Sequence, residues 1–220
     1  MNREEIIRTC DKELNSAVVS DTLDSLGCRN QVVQPGLAPI EDGMRITGFT
    51  RVGIYMPIYH DDDAVNVYEH EIRLVDDLKR GEVAVFSCSG NLRISPWGEL
   101  LSTRAQYLGA AGCITDGCIR DVAMIRKMRF PVFSGGRNPV DTKYRGKMMW
   151  ADVPCVIGGV EVKSGDLVIA DMDGIVFVPA SVIEPVMEKA LLKVRAESTV
   201  RQELRAGATL VEVFDRHGIL

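Results

Sequence analysis

The stretch VAVFSCSGNLRISPWGELLSTRAQYLGAAGCITDGCIRD, residues 83–121, decides the fold. Val83-Ala84-Val85-Phe86 is a short apolar run that reads as a buried strand, and residues 98–109 read as a helix. Cys113-Ile114-Thr115 reads as a second strand, with a turn expected at Asp116-Gly117. In a strand–helix–strand crossover the strands are parallel, so the loops leaving them share one edge of the sheet. Glu99 follows the first strand; after twenty further residues Arg120-Asp121 follows the second. Two carboxylates and a guanidinium are therefore expected at the carboxyl edge, where open α/β sheets bind ligands.

The pattern extends outward on both sides. A helix at 122–128 and a strand at 130–133 continue the alternation, which favours a parallel sheet core. Upstream, residues 3–9 read as a helix, and Asn15 caps a second one, Ser16 to Leu26, stopped by Gly27. Pro35-Gly36 and Pro39 mark a loop, followed by a strand over 45–52 and a helix over 65–79. After Ser134-Gly135-Gly136-Arg137 the character changes. Apolar runs at 153–157, 160–162, 167–170 and 175–178 are separated by turn signals, including Asp171-Met-Asp-Gly174, and predict a compact, largely antiparallel region. Ser181-Val-Ile-Glu184 reads as a capping box opening a helix to about residue 205, with Gly207 as its stop. The expected organisation is one α/β domain over residues 1–220 with a C-terminal helical arm.

Bulk properties narrow the function classes. A net charge of −5, with no basic run or aromatic-basic stripe, argues against a nucleic-acid surface. No apolar segment approaches the roughly 20 residues of a membrane span. Six cysteines lack CxxC spacing and read as structural thiols; with no N-terminal apolar stretch, they point to a reducing cytoplasm.

At the central edge, Asp121 suits a hard cation, and Glu99 suits waters around it. Mg²⁺ commonly takes one or two protein carboxylates and keeps several waters. Arg120 is placed to donate to an oxygen that gains negative charge. Ser95-Pro96-Trp97-Gly98 reads as a helix start with Ser95 as cap, leaving the N–H groups of Gly98 to Leu101 as a carboxylate cradle. Together these groups describe a bound α-keto acid. The same residues also admit a plainer reading, a surface salt bridge from Arg120 to Glu99 or Asp121. His60-Asp61-Asp62-Asp63 reads as a metal ligand set or as a charged loop tip. Arg137 and Lys143 lie on the same edge as the site and are candidates for a second substrate carboxylate.

Asp-Gly-Cys-Ile-Arg-Asp (116–121), preceded by Gly-Glu-Leu-Leu (98–101), resembles the RraA-like family. Its members include 4-hydroxy-4-methyl-2-oxoglutarate aldolases, also active as oxaloacetate decarboxylases, and a regulator of ribonuclease activity. The resemblance continues through residues 20–27, 130–134 and 158–179. It implies a swivelling β/β/α-type sandwich assembled as a homotrimer or a pair of trimers. It also implies a divalent-metal-dependent pyruvate-type aldolase using Mg²⁺ or Mn²⁺ and a small 2-oxo acid substrate. Carried onto this chain, Arg120 and Glu99 are catalytic, and Glu197 of a neighbouring subunit completes the site, with Glu203 the second choice. Gly98, Glu99, Leu100, Leu101 and Arg120 bind substrate, and Asp121 holds the metal. Glu99 stands where the family's aldolases have aspartate. The alternative the resemblance carries is a non-catalytic regulator that binds a ribonuclease.

Overall fold

Side chains that alternate along the central strands feed two cores at once. In the computed structural model, which describes residues 1–60 and 64–219, the elements run as follows. Helices α1 (Arg3–Glu13) and α2 (Ser16–Ser25) precede the short β1 (Ala38–Pro39) and the long β2 (Ile46–Pro57). Then come α3 (Glu69–Asp76), β3 (Glu82–Ser87), α4 (Glu99–Leu108), β4 (Gly112–Ile119), α5 (Val122–Met128) and β5 (Val132–Arg137). The remainder is β6 (Gly146–Ala151), β7 (Cys155–Ile157), β8 (Val160–Val162), β9 (Leu167–Ala170), β10 (Ile175–Val178), α6 (Ile183–Arg205) and α7 (Leu210–His217).

The main sheet has the order β1-β5-β4-β3-β2-β9-β10, and β6 also pairs with β2. β2, β3, β4 and β5 are mutually parallel neighbours, as the crossover rhythm predicts. β2 is the spine. Its start pairs with β9, its middle with β3 and its end with β6. In β3, Ala84 and Phe86 pack into the core under α3, α4 and α5, whereas Val83 and Val85 face the opposite core, shared with the β7–β8 hairpin. β9 and β10 repeat the alternation. Val168 and Phe177 join the hairpin side, while Ile169 and Val176 meet α1, α2 and α6. Two groups of helices thus cover one face of a curled sheet, and the hairpin packs against the other. Among the described residues no helix is long and apolar enough to cross a membrane.

Several local expectations change. Asp116-Gly117 is no turn: β4 runs through it, with a register shift between Thr115 and Cys118. The Asp116 carboxylate instead accepts the N–H groups of Cys88 and Gly90, tying β4 to the loop after β3. Gly117 is small for packing, since a Cβ there would lie 2.8 Å from Cys88 Sγ. β5 continues to Arg137, and β9 and β10 extend the main sheet rather than forming a separate antiparallel unit. The 171–174 hairpin turn forms, with Asp171 N–H on Gly174 O at 3.0 Å. Ser181 caps nothing. It lies in a 3₁₀ turn, and the entry to α6 is held by Asp166, which accepts the Ala180 N–H at 2.9 Å. The helix expected over 65–79 spans Glu69–Asp76, and α1 runs to Glu13. β1, β6 and α7 are additions, β1 lying in the expected loop, where Ala38 and Pro39 pair with β5. His60-Asp61-Asp62-Asp63 falls largely outside the described residues.

The six cysteines are free, and five are buried. Burial pushes the Cys10 and Cys155 thiols up to about 12, which suits structural rather than nucleophilic roles.

Candidate active site

Trp97 fixes the site's geometry. Its ring is buried, stacks on Phe130 and meets Phe86 edge-on, and its Nε1–H donates to Ser102 Oγ at 2.8 Å. Its backbone bridges to Ile119, and the Arg120 N–H donates to Trp97 O at 3.0 Å. The residues before α4 are therefore extended alongside β4, and the helix starts later than Ser95. Gly98 is the cap; the Ser95 hydroxyl donates to Asn138 O at 3.1 Å instead. Gly98 is required by closeness. A Cβ there would lie 2.8 Å from Asp121 Oδ2 and 3.2 Å from Arg120 Cγ.

Asp121 adopts a left-handed backbone (φ 58) at the start of α5. That conformation turns its carboxylate back toward α4, where Oδ2 accepts the Glu99 N–H at 3.2 Å and lies 3.7 Å from Arg120 Nε. One N–H of the expected carboxylate cradle is thus occupied by the protein's own Asp121. The N–H groups of Leu100 and Leu101 come before the first intrahelical bond, Ser102 N–H to Gly98 O at 3.1 Å, and have no acceptor within the helix. They still offer an anion the positive end of α4.

Arg120 reaches in the other direction to Asp141, Nη1 to Oδ2 at 3.4 Å, and the Tyr68 hydroxyl donates to the same oxygen at 2.8 Å. Burial alone would raise Asp141, but the Tyr68 bond, the Lys143 N–H and the Arg120 charge hold it below the ordinary range. Behind this pair lies Glu71, buried on α3 and accepting the Tyr55 hydroxyl. Burial pushes the Glu71 carboxyl up to about 7. Tyr68, Glu71, Trp97, Leu101, Arg120 and Asp141 help to wall a cleft of about 330 Å³ at the carboxyl edge of the sheet.

The cleft brings together Gly98, Leu100, Leu101, Arg120 and Asp121 from the sequence-based set. Glu99 is adjacent but turns along the helix, where its carboxylate accepts the Thr103 hydroxyl at 2.9 Å. Glu197 is not gathered within one chain. It lies on α6, which packs on α1, α2 and α7, and faces Lys193 at 4.0 Å and Arg201 at 3.9 Å. Glu203 is engaged with Arg216 and His217. Arg137 donates to Ile40 O at 3.1 Å, and Lys143 stands over the Tyr144 ring, so neither walls the cleft. Tyr68, Glu71 and Asp141 were missed. One signal for Glu71 was present: it shares the helical stripe of Leu74 and Val75, both buried.

Among the described residues no three His, Cys, Asp or Glu side chains converge as a metal-holding group. The oxygen donors lining the cleft are the carboxylates of Glu71, Asp121 and Asp141 with the hydroxyls of Tyr68, Ser95 and Thr142, and among the carboxylates Glu71 and Asp141 are bonded to Tyr55 and Tyr68. That donor set fits a hard cation such as Mg²⁺ or Mn²⁺ that retains most of its water, and would be too sparse for a cage of thiolate or imidazole ligands.

The weakened acidity of Glu71 has a stability consequence. The folded carboxyl binds its proton more tightly than the unfolded one, so this stabilisation is full below about pH 4.5 and is lost as pH rises toward 7. Relative to Glu71→Gln, the wild-type protein should lose up to about 3 kcal/mol across that window. Urea unfolding of both proteins from about pH 5 to about pH 8 measures it, and a constant difference would refute the assignment.

Comparison with known proteins adds the following. The RraA-like family model, described as Aldolase/RraA, matches residues 16–177. Protein DlpA of Legionella pneumophila is 28% identical over 196 residues, 89% of this chain but 31% of DlpA, so the chain spans about a third of that relative's length. A Halalkalibacterium halodurans protein named "Putative 4-hydroxy-4-methyl-2-oxoglutarate aldolase" is 27% identical over 191 residues, 87% of this chain and 84% of its own. The solved structure of Streptomyces coelicolor RraAS2 is described as an unusual member of the RNase ES inhibitor RraA protein family. It superposes with a TM-score of 0.79 at 27% identity, covering 90% of this chain and 96% of that one.

Proposed function

The chain belongs to the RraA-like family, and from that premise we propose that it is a lyase releasing pyruvate from a 4-hydroxy-2-oxo acid, with oxaloacetate decarboxylation as a second outcome. The observation that carries this reading is one cleft holding Arg120, Asp121 and the N–H groups of Leu100 and Leu101. The chemistry needs a carboxylate anchor and a fixed cation beside the 2-oxo oxygen, because that oxygen becomes negative when the C3–C4 bond breaks.

A divalent cation, Mg²⁺ or Mn²⁺, would be held by Asp121 and would polarise the 2-oxo carbonyl of the bound acid. Leu100 and Leu101 N–H bind the substrate carboxylate at the start of α4. Arg120, steadied by Asp121 and Asp141, donates to the 2-oxo oxygen as the enolate forms. Glu71, poised near neutrality, takes the proton of the C4 hydroxyl and returns it to C3, so the substrate's own proton completes pyruvate. Glu99 at the cleft mouth, and Glu197 of a neighbouring subunit in a trimer or pair of trimers, order water around this exchange.

The test is pyruvate formation from 4-hydroxy-4-methyl-2-oxoglutarate, from shorter 4-hydroxy-2-oxo acids and from oxaloacetate, with Mg²⁺ and with EDTA. Release that EDTA abolishes and excess Mg²⁺ restores is the expected result. No pyruvate from any of these acids would sink the lyase reading and leave the other role, a protein-binding ribonuclease regulator, which the likeness to an RNase ES inhibitor supports.

A further inference from the structure

A second cleft, of about 890 Å³, opens at the opposite edge of the sheet, between α1 and the residues entering β2 and β3. Its charge is unlike that of the rest of the molecule. In a chain of net charge −5, Arg3, Arg8, Lys12, Arg45 and Arg80 line this cleft beside Glu4 and Asp11, while Glu82 faces Arg3 and Asp171 faces Arg45, each at 3.8 Å. Among the described residues Arg8, Lys12 and Arg80 have no ion-pair partner. Arg8 and Lys12 also stand four residues apart on one helix face, a like-charge spacing that weakens a helix and that nothing in the fold requires.

The floor is preorganised. The Arg45 guanidinium is held by Cys10 O at 3.1 Å and Leu14 O at 2.7 Å, with Nε facing Asp11 at 3.5 Å and Nη1 facing Asp171 at 3.8 Å, so it forms a fixed positive floor. Thr47, 4% exposed and lining the same cleft, keeps a buried hydroxyl with no hydrogen-bond partner. A buried hydroxyl without a partner costs stability unless something binds to it. No aromatic side chain lines the cleft, so it lacks the stacking platforms used for nucleic-acid bases.

We propose that this cleft binds a small, multiply charged oxyanion, either a phosphate-bearing molecule or a polycarboxylate, using the arginine forks and the Thr47 hydroxyl. Arginine suits both oxyanions because its paired N–H groups match two oxygens at once. The volume lies in the range of small-molecule sites, and the location is remote from Arg120, at the amino ends of the parallel strands.

Calorimetric titration of the full chain at low ionic strength, with pyrophosphate and separately with citrate, tests the proposal. Saturable binding of at least one anion is expected, and the stronger binder identifies the source. The Arg8→Ser/Arg80→Ser double variant should bind at least tenfold more weakly with its unliganded unfolding midpoint unchanged, and Thr47→Val severalfold more weakly with an unliganded midpoint above that of the wild type, since it removes the unpartnered hydroxyl. Should the double variant melt early, Lys12→Ser alone should still weaken binding severalfold. Arg120→Ala should leave binding intact. Absence of saturable binding, equal binding by the cleft variants, or loss of binding in Arg120→Ala would each overturn it.

Discussion

Replacing Arg120 with alanine should lower pyruvate release by at least about 10²- to 10³-fold while leaving the protein folded. The guanidinium is partly exposed, and its two protein contacts, with Asp121 and Asp141, are ion pairs at 3.7 Å and 3.4 Å rather than core packing. Losing such pairs changes stability little, within about 0.5–1 kcal/mol. The loss to catalysis is expected to be larger because, in the proposed reaction, Arg120 would face the oxygen whose charge grows between bound acid and enolate and would stabilise the transition state more than the ground state. The loss should therefore fall mainly on kcat. Arg120→Lys should recover only part of it, since an ammonium cannot reach both the oxygen and Asp141 with a planar fork. Steady-state kinetics of the three proteins, with circular dichroism to confirm folding, decide the matter. Near-wild-type kcat in Arg120→Ala would remove Arg120 from the mechanism.

Trp97→Ala should cost about 3–5 kcal/mol of folding stability. The ring is 1% exposed, packs between Phe86 and Phe130, and bonds Ser102 through its indole nitrogen. The interior is close-packed, so the surroundings fill the space it vacates only in part. The same ring pins the strand that delivers Gly98 beside Asp121, so the folded fraction of the variant should also lose activity. Trp97→Phe should restore much of the packing without the hydrogen bond. Denaturant unfolding measures both variants, and a cost below about 1.5 kcal/mol would show that the strand is held by its backbone bonds alone.

The crossover from β3 through α4 to β4 was legible because each element carries a local signal: an apolar run, a helical segment, a second apolar run. From that topology alone, Glu99, Arg120 and Asp121 could be placed at one edge. What could not be read were residues delivered by packing. Tyr68 and Asp141 meet Arg120 from segments far apart in sequence, and no short-range spacing encodes their meeting. β6 carries few β-branched residues and alternates burial only at its start, so it lacks a strand's usual signature. The two cap misassignments share a cause. Ser95 and Ser181 have the right chemistry, but burial of Trp97 and the Asp166–Ala180 bond fix where each helix begins. Two capping boxes do form, Asn2 with Glu5 at the start of α1 and Thr209 with Glu212 at the start of α7, and the Thr209–Glu212 pair had the required spacing in plain view.

The three-way pairing of β2 bears on the order of events during synthesis. Its middle can pair with β3 soon after both emerge, but its end waits for residues 146–151 and its start for residues 167–170. Until then the ribosome holds a chain whose longest strand shows bare edges, the state most open to mispairing with other nascent chains. Such long-range pairings form slowly. The sheet therefore closes only when residues 167–170 have left the exit tunnel, and conditions that slow translation beyond β3 prolong the time that the β2 edges stay open.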